Sequence, residues 1–217
     1  MGTAAANLGD GIALFTLPLL ALAVGATPGG VAAVTSALTM AWLVFGLHAG
    51  WLVDRLPRRA LMVTVNLVRA GVLVALAVLY ANDALGIFTV VVAAGLLGVA
   101  ETLADTALTS TVPLVVRADA KTRANARIEA TVNVTNQFAG PPLAGLLIGI
   151  SMTLAVAAGS ALYALSVAAL AAVAVAHHAG PSASIPAPTG VGAGLRHIWR
   201  EPVLRALRDM LARVWTH

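Results

Sequence analysis

The chain has 217 residues, of which 59% are hydrophobic and 10% are charged, with a net charge of +4. A soluble domain carries about 25% charged residues, so this composition excludes an ordinary soluble protein and indicates insertion into a membrane. The chain has no cysteine, which excludes disulfides, thiolate catalysis and cysteine-ligated metal sites.

Six apolar segments follow one another, and each is long enough to cross about 30 Å of hydrocarbon as an α-helix. Polar or helix-breaking residues separate them at 27–30, 50–59, 82–83 and 113–123. A weaker break is expected near 149–153, because the uncharged stretch 138–176 is too long for one span. The pattern predicts an all-α membrane protein with spans at about 4–25, 31–53, 60–81, 86–112, 127–149 and 154–176.

The basic residues predict the orientation of these spans. Of the 13 Lys and Arg, three lie in the second connection, four around the fourth, five after the sixth span, and none in the other connections. Cytoplasmic loops are enriched in Lys and Arg, so both termini are expected in the cytoplasm. The excess of Arg over Lys and the high Ala and Val content suggest a GC-rich bacterial genome. The expected location is therefore the bacterial cell (inner) membrane. Contact of these loops with anionic lipid accounts for the positive charge without a nucleic-acid partner.

The predicted organisation has three parts: a six-span bundle over 1–176, a cytoplasmic linker over 177–194, and a basic amphipathic segment over 195–217. The linker is rich in Pro, Ala, Ser and Gly, which indicates flexibility. In the last segment, apolar residues share one helical face and arginines take the other. This helix is too short and too charged to span, so it is expected on the inner leaflet.

Four charged side chains fall in the interior of the predicted spans, away from the span ends: Asp10, Arg69, Glu101 and Asp105. Inserting each costs about 2.5–3.5 kcal/mol, so a functional reason is expected. Glu101 and Asp105 are four residues apart and share a helix face. At such a short separation in a medium of low dielectric constant, ionising both carboxylates is costly, so one of them is expected to hold a proton. The pair is therefore a predicted proton site. Arg69 is the expected counter-ion of one of the acids. The alternative is that the acids only pair structurally with arginines of the second connection.

The second connection carries a compact motif, Gly50-Trp-Leu-Val-Asp54-Arg55-Leu-Pro-Arg58-Arg59. It resembles the signature G-x-x-x-D-R-x-G-R-R between helices 2 and 3 of the major facilitator superfamily, with Pro57 in place of the second glycine. The resemblance implies that these residues form a gating motif. Asp54 is expected to latch the cytoplasmic gate by pairing with arginines and with Glu101 or Asp105.

The fifth span contains Gly140-Pro141-Pro142-Leu-Ala-Gly145. Two prolines in mid-span forfeit backbone hydrogen bonds, which predicts a kink. The segment is similar to the fifth-helix motif g-x-x-x-G-P-x-x-G-G of exporters in the same superfamily. Asn136 replaces its first glycine. The alternative is a kink that serves only helix packing.

Most of the chain is similar to the bacterial exporter branch that includes enterobactin and macrolide efflux proteins. The resemblance implies proton-coupled efflux of amphiphilic organic compounds by alternating access between two six-helix halves. This sequence carries one such half, so the expected partners are lipid, a small-molecule substrate, protons, and either a second copy or a missing second half. The rival hypothesis is a transport-incompetent fragment of a truncated or frameshifted exporter gene. No phosphate loop or nucleophile triad is present, so the chain is expected to be no enzyme and to need no cofactor or metal.

Overall fold

The computed structural model describes residues 2–115 and 121–176. Every regular element in these ranges is helical, as predicted: α1 Gly2–Ala23, α2 Pro28–Arg55, α3 Arg58–Ala81, α4 Ile87–Val115, α5 Lys121–Val132, α6 Gly140–Ile150 and α7 Met152–Ala176. A π-helical segment, Asn133–Ala139, joins α5 to α6. The predicted linker at 177–194 and the amphipathic segment at 195–217 lie outside the described residues.

Five of these helices are long and apolar enough to cross a membrane: α1, α2, α3, α4 and α7. The other predicted span, over 127–149, is divided among α5, the π-helical segment and α6. The helical stretch 121–150 opens with a polar segment (Lys121-Thr-Arg-Ala-Asn-Ala-Arg), and two prolines, Pro141 and Pro142, stand in the first turn of α6. No single α-helix there reaches membrane length, although the helical backbone continues from 121 to 150.

The turn between α1 and α2 is built by local backbone chemistry. Gly25 adopts a positive φ of 78°, a conformation that glycine enters without steric cost. Thr27 then caps α2, since its hydroxyl accepts a hydrogen bond from the N–H of Gly30 at 3.3 Å. Pro28 occupies the first helical position, where its missing N–H costs nothing. For this reason α2 begins three residues before the predicted 31.

The breaks before α3 and before α7 are shorter than predicted. Only Leu56 and Pro57 separate α2 from α3, so Asp54 and Arg55 lie in the last turn of α2 instead of in a loop. The fourth helix continues through Pro113 to Val115, although a break was expected at that proline. Within a helix, proline forfeits its own N–H hydrogen bond and crowds the carbonyl four residues earlier, which can bend a helix without ending it. The weak break predicted at 149–153 is confirmed as a single extended residue, Ser151, with φ of −165°.

The first helix lies at the centre of the bundle. In its most apolar stretch 61% of the residues are buried, against 11% for α2. Its apolar side chains form one core with those of α3, α4 and α7, including Leu17, Leu20, Leu73, Leu76 and Val156. The peripheral α2 packs on α4, where a Cβ built at Gly98 would lie 2.6 Å from a backbone carbonyl of α2. The absence of a side chain at Gly98 therefore sets the separation of these helices.

Candidate functional site

A buried ion pair joins α1 to α3 at the centre of the bundle. Nη1 of Arg69 lies 3.1 Å from Oδ1 and 3.3 Å from Oδ2 of Asp10. The exposed fractions of the two side chains are 1% and 8%. It is the one ion pair found within residues 2–115 and 121–176. A charge withdrawn from water this completely requires a partner, so each residue accounts for the presence of the other.

Tyr163 of α7 completes this cluster. Its hydroxyl donates to Oδ1 of Asp10 at 2.7 Å, and its ring centroid lies 5.3 Å from the guanidinium carbon of Arg69. A Cβ built at Gly9 would lie 3.1 Å from Cε1 of the tyrosine. The glycine beside Asp10 therefore leaves the space that the tyrosine ring needs. We call Asp10, Arg69 and Tyr163 the buried triad.

Several polar atoms beside the buried triad have no protein partner. They are Nε and Nη2 of Arg69 and Oδ1 of Asn66. The amide nitrogen of Asn66 donates to the hydroxyl of Ser166 at 3.2 Å. These side chains line a small cavity of about 20 Å³, which we call the inner cavity. Its full lining is Thr3, Ala6, Asn7, Asp10, Met62, Asn66, Arg69, Ala104, Asp105, Leu108 and Ser166.

Glu101 and Asp105 face an open groove between α1, α2 and α4. The groove has a volume of about 240 Å³, and its wall combines the two carboxylates with Leu14, Leu38, Thr39, Trp42, Gly98 and Thr102. Both acids share one face of α4, as their spacing predicts. Asp105 is exposed and Glu101 half-buried. Asp105 is the one residue that lines both this groove and the inner cavity.

The structure separates the four ionisable residues into two places. Arg69 is the counter-ion of Asp10, whereas Glu101 and Asp105 make no ion pair within 4.0 Å among the described residues. Asp10 is enclosed by protein. The helices α3 and α7, which carry Arg69 and Tyr163, cover its carboxylate.

Arg58 and Arg59 of the motif between α2 and α3 contact neighbouring helices through neutral groups. Nε of Arg58 donates to the hydroxyl of Ser110 on α4 at 3.1 Å. The guanidinium of Arg59 donates to the backbone carbonyl of Leu170 on α7. These contacts join the start of α3 to α4 and α7 at one end of the bundle.

The other motif residues lie at the exposed end of α2. The guanidinium of Arg55 stacks on its own helix, 4.1 Å above the ring centroid of Trp51. Asp54 is exposed, and in the described part of the chain it forms no ion pair. The predicted pairing of Asp54 with Glu101 or Asp105 is not made in this conformation. A Cβ at Gly50 would meet nothing within 4 Å, so packing in this state does not require the motif glycine.

The fifth-helix motif forms a close crossing with α1. Gly140 is buried, and a Cβ built on it would lie 2.7 Å from Cα of Gly11. The irregularity lies just before the prolines, where the N–H of Gly140 donates five residues back to the carbonyl of Thr135. Pro141 and Pro142 start α6. They supply no N–H, so the backbone widens upstream into a π-helical segment. Gly145 has open space at its Cβ position.

Sequence patterns did not indicate Tyr163, Asn66 or Ser166. Each is a polar residue in the middle of a long apolar helix and is nearly fully buried. The chain has only two tyrosines, and Tyr163 is the one placed in mid-span. Buried hydroxyls and amides need hydrogen-bond partners, so polar side chains at the same depth in different spans were the available signal.

The comparison with known proteins agrees with this architecture. A search of curated proteins found none that matches the chain. Residues 1–216 match the sequence profile of the Major Facilitator Superfamily, which is nearly the whole chain. The all-helical bundle, its membrane-length helices and this match have one conclusion in common: the chain belongs to the Major Facilitator Superfamily and is an integral membrane transporter.

Proposed function

We propose that this transporter is a proton-coupled antiporter that exports amphiphilic organic compounds by alternating access. The observation that carries the proposal is the groove, where two carboxylates stand beside an apolar and aromatic wall. A cationic amphiphile has matching chemistry, since its charge pairs with Glu101 or Asp105 and its apolar part packs on Leu14 and Trp42. Aromatic rings also attract cations through their faces.

The proximity of the two carboxylates supports coupling to protons. They lie one helical turn apart on α4, a helix of membrane length, and both line the groove. Two negative charges at this separation repel each other in a medium of low dielectric constant. A proton and a cationic substrate each relieve that repulsion, so binding of one disfavours binding of the other. This competition is the basis of exchange.

The groove also supports a second six-helix unit as partner. Its volume of about 240 Å³ is below the usual range of roughly 300–1,000 Å³ for small-molecule sites, as expected for one wall of a larger site. We propose that the opposite wall comes from another six-helix unit, either a second copy or a second half. Parallel repeats about an axis along the membrane normal permit such pairing. The proposed location is the bacterial cell membrane, with both termini in the cytoplasm.

Dye transport in proteoliposomes tests the function. The purified chain is reconstituted, its oligomeric state is measured by light scattering, and movement of a cationic amphiphilic dye is followed with and without a pH gradient. We expect gradient-driven transport that falls about 100-fold in the Glu101→Gln/Asp105→Asn double variant. The matched control is Asp83→Asn, because Asp83 lies in the α3–α4 turn at φ 53°, a conformation that Asn tolerates.

Two results would overturn the proposal. One is a double variant that transports dye as fast as the parent chain under the same gradient. The other is transport by the parent chain that ignores the gradient. A dimer that transports supports the second-copy assembly, whereas transport by a stable monomer contradicts it.

A further inference from the structure

The inner cavity combines space for a small ligand with unpaired polar atoms. A cavity needs about 10–15 Å³ of this kind of volume to hold one water, and the inner cavity has about 20 Å³. Two nitrogen atoms of Arg69, Nε and Nη2, and the carbonyl oxygen of Asn66 have no protein partner, and both side chains are at most 2% exposed. Buried polar groups without a partner are costly, so a ligand that satisfies them is strongly favoured.

The chemistry of the lining selects that ligand. Arg69 supplies donors, whereas Asn66 Oδ1 and the carboxylates of Asp10 and Asp105 supply acceptors. An anion would be repelled by the carboxylates, and a metal cation by the guanidinium. A water molecule donates twice and accepts twice, so it matches both sets, and the volume admits only one.

We propose that the inner cavity binds a single water molecule that links Asp105, at the groove, to Asp10 in the buried triad, and that protons pass between the two carboxylates through it. This rests on the proposed proton-coupled function. Asp105 is the single residue shared by the linings of the groove and the inner cavity. It therefore connects the substrate surface to the buried ion pair.

The transfer balances in protons and charge. Protonated Asp105 gives its proton to the water, and the water gives a different proton to the Asp10 carboxylate. Asp105 becomes the carboxylate and Asp10 the acid. Arg69 lines the same cavity as both acids, and because it pairs directly with Asp10 at 3.1 Å, the state with the proton on Asp105 is the favoured one. Proton transfer through one water is an accepted geometry for acid–base exchange in proteins.

The first experiment detects the water without relying on transport. Infrared spectra of the full chain in lipid are recorded in ordinary water and in water labelled with oxygen-18. A bound internal water gives an isotope-sensitive stretching band. We expect this band to disappear in Ala104→Val, which adds two carbons to the wall of the cavity. We expect it to persist in Ala130→Val, an exposed position on α5 that is not part of that wall.

A second variant is needed because the larger side chain in Ala104→Val could prevent folding. Asn66→Val removes the unpaired carbonyl oxygen and should also abolish the band. If both variants are folded by circular dichroism and both retain the band, the water site is refuted.

The transport measurement then tests the relay. In Ala104→Val and in Asn66→Val we expect gradient-driven dye transport to fall by about tenfold or more, whereas Ala130→Val should transport dye at the parent rate. Loss of the band with unchanged gradient-driven transport overturns the relay. If the parent chain shows no gradient-driven transport, the proposed function fails and the relay with it, whereas the infrared band still decides whether the water is bound.

Discussion

Removing the charge of Asp10 should destabilise the fold more than removing any other acid of the described bundle. In Asp10→Asn the guanidinium of Arg69 remains 99% buried but loses its anion at 3.1 Å. At an effective dielectric constant of about 20, the lost attraction is about 5 kcal/mol. Breaking a buried pair on one side costs about 3–5 kcal/mol in measured cases. The Tyr163 hydroxyl also exchanges a carboxylate acceptor for a weaker neutral one.

We therefore expect Asp10→Asn to lower the free energy of unfolding by about 3–5 kcal/mol. The assay is reversible unfolding by SDS in mixed micelles, followed by circular dichroism of the helices. The double variant Asp10→Asn/Arg69→Gln should lose less than Asp10→Asn alone, since no uncompensated charge remains buried. Asp83→Asn, at an exposed turn, is the control.

Two outcomes would refute this reasoning. The first is a loss below about 1 kcal/mol in Asp10→Asn, which is the range of an exposed ion pair. The second is a double variant whose loss equals the sum of the two single losses, because residues in direct contact are expected to couple.

Three further predictions concern packing, gating and topology. Gly11→Ala should lower unfolding stability by about 1–3 kcal/mol, because its Cβ would collide with the backbone of the π-helical segment; Gly145→Ala, which meets nothing, should not, and equal losses would contradict the crossing. Asp54→Asn should shift the balance between inward- and outward-facing states by about 1–3 kcal/mol; unchanged reagent access to the cytoplasmic cavity would leave the motif as a topology signal only. In intact cells a cysteine introduced at Thr27 should react with an impermeant reagent and one at Leu56 should not; the opposite pattern would invert the topology.

The helices could be predicted from the sequence because their signals are local. Membrane-length apolar runs and their breakers determine where each crossing begins and ends, and even the single-residue break at Ser151 follows from the length of an uncharged stretch. The errors in the helix boundaries arise where a helix-breaking residue, proline, is compatible with two different positions in a helix. Pro28 starts a helix, whereas Pro113 lies within the last turn of one, and a hydropathy pattern does not distinguish these positions.

The candidate site could be predicted only in part, because its contacts are distant in sequence. Four of its ionisable residues stand out as charges in apolar runs. Their pairing depends on how α1, α3 and α7 pack, since Asp10 is 59 positions from Arg69 and 153 from Tyr163. The prolines of the fifth span similarly predict an irregularity. Its place, before the prolines, was not predictable, because Gly140 and the preceding segment meet Gly11 of a helix more than a hundred residues earlier.

The crossing of α1 with the fifth span has a mechanical consequence. At Gly11 and Gly140 the two backbones touch with no side chain between them. Because no side chains interdigitate at this point, the two helices can tilt about the contact. Gly11 lies near the middle of the 22-residue α1, and each arm of that helix is about 16 Å long at 1.5 Å per residue. A tilt of about 10° would swing either end by about 3 Å on an arm of this length. Asp10, one position from the fulcrum, would hardly move, so the ends of α1 can travel while its charge stays with Arg69.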